Sequence, residues 1–339
     1  MRFAEQWTSS TVVSTSDLTP SIREIVLEPD VAVTTCAPGS HINVAVMIDG
    51  QPNKRSYSLV GPPEQGRLRI AVRLAADSRG GSQAMWALKP GQRIDITHPT
   101  SLFEIDWSRK HYVLIAGGIG VTPMLGIATA LARRGAELTM HYAVKSRSDA
   151  ALHDELSSLL GNRLRLHAGD EGARLDLDAT FRALPEGAVA VLCGPLRMLE
   201  AARHARHQAG RPASDLCFET FGSSGRLPTS EFRVRIAATG SEIVVPRDRS
   251  MLDALNAAGF EVISDCERGE CGVCAVDVTA IEGEIDHRDV FFSEHQKHDS
   301  GKMCACVSRA RGTVTIDTLY RPDQLPGGSR LSRRHSGTK

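Results

Sequence analysis

The first hundred residues alternate apolar and polar positions in short runs broken by turn residues. Ile22 to Leu27, Ile42 to Ile48, Tyr57 to Val60, Leu68 to Leu74 and Ile94 to Ile96 each read as a strand, with little helical periodicity between them. Strands at this spacing from Thr8 to about Ile105 predict an antiparallel β-barrel. The period then changes. His111 to Ala116 is a compact apolar strand running into a glycine turn, after which Met124, Leu125, Ile127, Ala128 and Leu131 recur at helical spacing up to Gly135. Strands at Leu138 to Val144, Leu164 to His167 and Val189 to Leu192 alternate with helical stretches at Ala150 to Leu160 and Leu196 to Gln208, which predicts a doubly wound α/β domain around a parallel sheet.

Residues 223–230 are rich in Ser, Gly and Pro and read as a mobile connector. Beyond it, Phe232 to Ile236 and Ile243 to Val245 flank Thr239-Gly240-Ser241 as a hairpin. A helix capped by Ser250 follows, carrying Met251, Leu252, Leu255 and Ala258 and stopped by Gly259. A cysteine loop, a strand from Ala275 to Val278 and a closing strand from Val314 to Ile316 complete an α+β module of the β-grasp kind. The expected division is therefore a barrel over 1–108, an α/β domain over 109–222, a linker over 223–230, the β-grasp domain over 231–325 and a disordered tail over 326–339.

Composition narrows the function without choosing it. The chain has 339 residues, 41% hydrophobic and 24% charged, and a formal net charge of zero, so each domain can bury a core and nothing favours nucleic acid or an anionic membrane as a partner. No apolar run approaches the length of a membrane span, and Met1 to Gln6 lacks the charged-then-apolar pattern of a signal peptide. A cytoplasmic protein is expected, in which the eight cysteines act as ligands or buried thiols rather than disulfides.

The cysteines carry the most specific chemistry. Four residues separate Cys266 from Cys271 and two separate Cys271 from Cys274, with Cys304 and Cys306 further on, the plant-type spacing for a 2Fe-2S cluster. Iron bridged by sulfide prefers thiolates converging from a loop, and Gly269 and Gly272 give that loop the freedom to turn peptide N–H groups toward sulfur. A structural zinc site, the competing reading, ordinarily pairs two short Cys-x-x-Cys knuckles. For the fourth ligand, Cys304 leaves 29 residues after Cys274 and Cys306 leaves 31; the usual gap favours the first and register against the closing strand favours the second. Between Glu231 and Asp317 sixteen acidic residues face ten basic ones, a bias that fits either a solvated surface or docking to a basic partner.

Weaker motifs lie upstream. Arg55-Ser56-Tyr57-Ser58 places a permanent cation and an aromatic ring on one strand face and two hydroxyls on the other. Arg79-Gly80-Gly81-Ser82 precedes a short helical run from Gln83 to Leu88, a turn whose serine N-cap leaves N–H groups free for phosphate. Gly117-Gly118-Ile119-Gly120-Val121-Thr122-Pro123 joins strand to helix as a pyrophosphate-binding turn would, although it departs from the ordinary dinucleotide fingerprint. Lys145-Ser146-Arg147-Ser148-Asp149, after the next strand, suits either a 2′-phosphate or a free 2′-hydroxyl.

Arg-x-Tyr-Ser followed by Gly-Gly-Ser and a short helix resembles the flavin-binding barrel of the ferredoxin reductase superfamily. The order of parts is most similar to the phthalate dioxygenase reductase family. That resemblance implies FMN held by Arg55, Ser56, Tyr57, Ser58, Arg73, Gly80, Gly81 and Ser82, and NADH held by Gly117, Gly118, Gly120, Thr122, Pro123, Cys193, Gly194 and Pro195. It places Ser58 and Cys193 beside the reacting rings as the catalytic residues, and Phe221, within Phe218-Glu219-Thr220-Phe221-Gly222, beside the flavin. Cys306-Val-Ser-Arg-Ala resembles the family's own segment, which makes the metal ligands Cys266, Cys271, Cys274 and Cys306. Glu282 to Asp289 also looks like the family's segment, with His287 structural rather than a ligand. The implied activity is electron transfer from NADH through FMN and the cluster to a terminal Rieske-type oxygenase, by a monomer; the alternatives are a diiron monooxygenase as acceptor, or a zinc-binding or redox-sensing protein.

Overall fold

The computed structural model describes residues 6–48, 50–75, 80–101, 103–221 and 229–317. Arg79, Gly222, most of the expected connector and the expected tail lie outside them. Two compact units divide at Phe221 and Gly222.

In the first unit, β1 (Trp7–Thr19), β2 (Ile22–Pro29), β3 (His41–Ile48), β4 (Gln51–Ser58), β5 (Leu68–Arg73) and β6 (Arg93–Thr97) form a six-stranded sheet in the order β4-β3-β6-β1-β2-β5. An antiparallel bridge between Leu59 and Ile70 joins its two ends, with the Val60 N–H donating to the Arg69 carbonyl at 2.8 Å, so the sheet curls into a barrel. Val12, Ile25, Leu27, Ile42, Val44 and Ile70 fill it. The long first strand was not among the expected elements, because Trp7–Thr19 is mostly Ser and Thr and shows no apolar alternation beyond Val13; its neighbours β2 and β6 hold it on both sides. Likewise β4 starts six residues before Tyr57, in a polar stretch paired along its length with β3.

The short helix α1 (Gly81–Trp86) corrects one expectation. Its N-cap is Gly80 in the left-handed region, φ 85°, and no side chain caps it; Ser82 lies inside the helix and its Oγ accepts instead from the Ala75 N–H at 3.3 Å. That bond ties the start of α1 to the end of β5.

Five parallel strands follow: β7 (His111–Gly117), β8 (Glu137–Val144), β9 (Leu164–Ala168), β10 (Val189–Cys193) and β11 (Leu216–Glu219), ordered β11-β10-β7-β8-β9. The order reverses between β7 and β10, and such a switch point opens a crevice at the carboxyl ends of the strands. Helices α2 (Val121–Arg133), α3 (His153–Leu160), α4 (Leu177–Arg182) and α5 (Leu196–Gln208) connect the strands. α3 starts three residues later than its apolar spacing suggests, since Leu152 takes a left-handed conformation, φ 60°, that breaks the helical path. The barrel and the α/β layer share a core. Ile22, Val60, Phe103 and Ile105 pack in one cluster with Ile127, Leu114 and Tyr142, and Arg69 binds Glu24 of the barrel and Glu155 of α3, each at 2.7 Å.

The second unit holds β12 (Phe232–Ile236), β13 (Glu242–Val245), α6 (Met251–Ala257), β14 (Ala275–Asp286), α7 (Glu294–Asp299), β15 (Lys302–Cys304) and β16 (Arg309–Ile316). Its sheet runs β13-β12-β16-β14-β15, with β12 and β16 parallel. α6 starts with a capping box in which Ser250 and Asp253 satisfy each other's backbone N–H groups. β14 extends eight residues past the expected Val278 because β16 pairs with it as far as Asp286 and Arg309. Replacing Ile127, fully buried beside Gly39 and Phe103, with alanine should destabilise the first unit by about 2–5 kcal/mol, read as a lower urea midpoint.

Candidate functional site

Chemistry-bearing residues of the first unit gather in two places. On the barrel, the Arg55 side chain runs directly under Gly81, where a Cβ would collide with its Nε. A side chain at this position would push Arg55 out of its place under the start of α1. Arg55 is oriented by the Asn53 side chain and the Lys54 carbonyl, and Ser56 by Asn43. Ser56 is exposed and Arg55 and Tyr57 are half-buried, whereas Ser58, expected on the same face as Ser56, is buried where the strand ends against Leu59 and Val60. Burial raises the Tyr57 phenol well above its ordinary value, partly opposed by the Arg55 charge, so the ring is neutral at physiological pH. Arg73, exposed at the end of β5, stands two residues before the Ala75 that binds Ser82. Asn43 and Asn53 had no signal in the sequence beyond their place on the strand pair.

At the switch point, β7 and β10 run in parallel with Ala116 opposite Cys193. The glycine turn presses backbone to backbone against Cys193-Gly194-Pro195: a Cβ on Gly120 would strike the Cys193 carbonyl, and one on Gly117 would lie 2.6 Å from Pro195 Cδ. Gly118 to Gly120 form a single 3-10 turn leading into α2. Thr122 spends its hydroxyl on the Ile119 carbonyl at 3.0 Å, and Pro123 occupies the first turn of the helix, where no N–H is needed. The Cys193 thiol is fully buried. Phe221, 36% exposed, follows buried Glu219 and Thr220 at the end of β11.

In the second unit the cysteine loop lies between α6 and β14. Gly269 takes φ 78°, and a Cβ there would come within 2.6 Å of Val307 and 2.9 Å of the Asp289 Cα. Cys266 Sγ accepts from the N–H groups of Arg268 and Cys271, both at 3.4 Å. Cys274 and Cys306 stand 3.0 Å apart. Hydrogen bonds from Cys304 and then Cys306 bring the Cys274 pKa down to about 3 against burial, while the same contacts and burial raise both partners. Cys274 is the main influence on both Cys304 and Cys306; beyond it the Asp289 carboxylate acts on Cys304 and the Cys266 charge on Cys306.

Among the described residues, no three thiol, imidazole or carboxylate groups close around a point as a single-ion site would require. Thiolates distributed over two irons need no such point. The soft donor set, the N–H groups aimed at sulfur and the glycine at positive φ fit an iron–sulfur cluster. Asp289 is a feature that the spacing did not reveal. It is fully buried and accepts from Ser308 Oγ and the Phe292 N–H, both at 3.0 Å, with the His287 Nδ1 3.5 Å away. Phe291 covers Gly272 and is 47% exposed.

Comparison with known proteins matches all three parts. Residues 10–105 match the oxidoreductase FAD-binding domain, 114–204 the oxidoreductase NAD-binding domain, and 234–311 the 2Fe-2S iron-sulfur cluster binding domain. The chain is 35% identical over 313 residues, 90% of its length and 96% of the relative's, to the heme-dependent oxidative N-demethylase beta subunit of Ectopseudomonas mendocina. It is 39% identical over 269 residues, 78% of its length and 82% of the relative's, to the phenoxybenzoate dioxygenase subunit beta of Ectopseudomonas oleovorans. Phthalate dioxygenase reductase, whose solved structure is described as a modular structure for electron transfer from pyridine nucleotides to [2Fe-2S], superposes with a TM-score of 0.74 at 28% identity, over 92% of this chain and 98% of that one. Among the described residues no helix is long and apolar enough to cross a membrane.

Three substitutions test these placements. Gly81→Ala should displace Arg55 and lower the flavin absorbance of the purified protein while its circular dichroism stays the same. Cys306→Ser should abolish the cluster's visible absorbance, and Cys304→Ser should retain it; the reverse result would make Cys304 the ligand.

Proposed function

The chain belongs to the phthalate dioxygenase reductase family of flavin and iron–sulfur oxidoreductases, and we propose that it is the NADH-dependent reductase component of a Rieske-type oxygenase system. Nicotinamide gives up two electrons as a hydride and a 2Fe-2S cluster takes one at a time, so a bound flavin, which we take to be FMN, supplies the conversion between them. The observation that carries the proposal is the joint presence, in one chain, of the Arg55–Gly81 cradle, the glycine turn packed on Cys193-Gly194-Pro195, and the cysteine loop.

Each set of residues then has a definite task. Arg55 supplies a fixed positive charge to a flavin phosphate, with Gly80, Gly81 and Ser82 bringing backbone N–H groups to it and Arg73 standing nearby as a second cation. Tyr57, held neutral, offers a ring face for stacking, and Ser58 a buried hydroxyl for the flavin ring. Gly117, Gly118 and Gly120, with Thr122 and Pro123 shaping the first turn of α2, let a pyrophosphate lie against the backbone at the switch point. Cys193, Gly194 and Pro195 form the opposite wall, where the nicotinamide would lie, and Phe221 covers the flavin side. No general acid or base is needed for hydride transfer, so catalysis rests on positioning. In the second unit Cys266, Cys271, Cys274 and Cys306 hold the cluster, and the N–H groups of the loop donate to sulfur, which stabilises its negative charge.

The electron acceptor is the oxygenase. Several relatives are subunits of oxygenase or demethylase systems, among them a carnitine monooxygenase reductase subunit of Escherichia coli, which supports a separate catalytic partner for this chain. A heme-containing acceptor is the second reading, favoured by the N-demethylase relative. The protein acts as a monomer in the cytoplasm.

Protein stripped of its cluster should keep NADH-dependent reduction of a hydride-competent dye and lose transfer to a one-electron protein acceptor. Equal loss of both activities would contradict the relay, and protein purified without flavin or iron would contradict the whole assignment.

A further inference from the structure

Two buried arginines hold the point where the chain enters the second unit. Arg288, just after β14, and Arg309, the first residue of β16, are 5% and 3% exposed. A guanidinium taken out of water must find partners for its donors. Arg288 donates through Nε to Asp286 Oδ2 at 2.7 Å, and through both Nη1 and Nη2 to Thr229 Oγ1 at 3.2 Å. Arg309 donates through Nη2 to the carbonyls of Ser230 and Pro246, at 2.9 and 2.8 Å, and through Nη1 to the Arg249 carbonyl at 2.6 Å. Asp286 and Arg309 face each other in the β14–β16 ladder, so both arginines belong to one corner of the sheet.

The same corner seats the cysteine loop. The Arg288 N–H donates to Ser308 Oγ at 3.2 Å, and Ser308 Oγ donates to Asp289 Oδ1 at 3.0 Å. The backbone of Asp289 lies against Gly269, whose carbonyl accepts from the Val290 N–H, and the Ser308 N–H donates to the Cys304 carbonyl at 3.0 Å. A run of contacts therefore leads from Thr229 and Ser230 to the loop that carries Cys266, Cys271 and Cys274. The sequence reads those two residues as the end of the connector, and the structure fastens them. From Phe221 the chain reaches Thr229 in eight steps and Phe232, the first residue of β12, in eleven. Extended chain covers at most about 3.6 Å per residue, so the tether measures at most about 29 Å with Thr229 held and about 40 Å with it released.

We propose that Arg288 and Arg309 are positioning residues for electron transfer from flavin to cluster. They fasten the connector, at Thr229 and Ser230, to the cluster-bearing corner of the second unit, and so fix both the length of the tether and the place where it ends. A short tether fixed near the cluster raises the frequency of productive encounters between the two centres, whereas a longer one ending elsewhere lowers it. Arginine suits the task because its planar fork reaches several acceptors at once. The proposal rests on the reading of this chain as a flavin-to-cluster relay.

The test uses the full-length protein with flavin and cluster bound, mixed with NADH in a stopped-flow instrument, with the reduced cluster also recorded by electron paramagnetic resonance. Thr229→Val removes both Arg288 bonds to the connector and leaves the Arg288–Asp286 pair. It should slow cluster reduction by about threefold or more, with flavin bleaching by NADH and the resonance spectrum unchanged. Thr229→Ser keeps the hydroxyl and should behave as wild type, and adding Arg309→Lys to Thr229→Val should slow the step further. Inserting three glycine or serine residues between Pro228 and Thr229 lengthens the tether with the clamp intact and should slow the same step. Cluster reduction at the wild-type rate in either Thr229→Val or the insertion would overturn the inference, as would a shifted resonance spectrum in Thr229→Val, which would make the network a determinant of the cluster itself. Wild-type protein whose flavin is not bleached by NADH, or which gives no cluster signal, would refute the relay rather than the clamp.

Discussion

The first unit is organised by the close approach of two backbone turns at the switch point of a parallel sheet. Gly120 lies against the Cys193 carbonyl so tightly that a single carbon added to it would collide. Because the strands β7 and β10 are neighbours in register, their carboxyl ends lie side by side, and the surface between them is built of closely packed peptide groups. Everything else in that unit is arranged around this opening. α2 starts there, the barrel shares a hydrophobic core with α2 through Phe103 and Ile105, and Arg69 ties barrel to α3.

A different constraint shapes the second unit. A loop that must present several sulfurs cannot also satisfy its own backbone by regular pairing, so its N–H groups turn to the sulfurs themselves. Cys266 accepts two of them. The rest of the loop is held from outside: the Val290 N–H donates to the Gly269 carbonyl at 2.9 Å and the Ala305 N–H to the Cys274 carbonyl at 3.0 Å. The buried Asp286–Arg288 pair and the Asp289–Ser308 hydrogen bond lie next to these contacts. Buried ionic groups of this kind contribute little net stability against apolar alternatives, but removing one partner leaves a costly unpaired charge, so they fix geometry.

Much of this was legible from residue order. The change from strand to helical period across the glycine turn after Ala116, the capping serine at Ser250 and the stop at Gly259 follow local rules that depend on a few neighbouring residues, and the structure has all three. The cysteine spacing was informative for the same reason, since chelation from one loop is a local property. Elements defined by their partners were not legible. Trp7–Thr19 has no apolar alternation over most of its length and is a strand because β2 and β6 pair with it, and the extension of β14 to Asp286 exists because β16 lies alongside.

The sequence by itself therefore determined the order of the three chemistries and the residue types that serve them, because ligand spacing, glycine turns and helix caps are encoded within a few residues. Tertiary structure alone decided which distant groups meet. It set Arg55 beneath Gly81, Gly120 against Cys193, Asp289 beside the cysteine loop, and Thr229 and Ser230 on Arg288 and Arg309. Each of these contacts joins segments whose approach is set by strand order and core packing, and no local pattern in the chain records it.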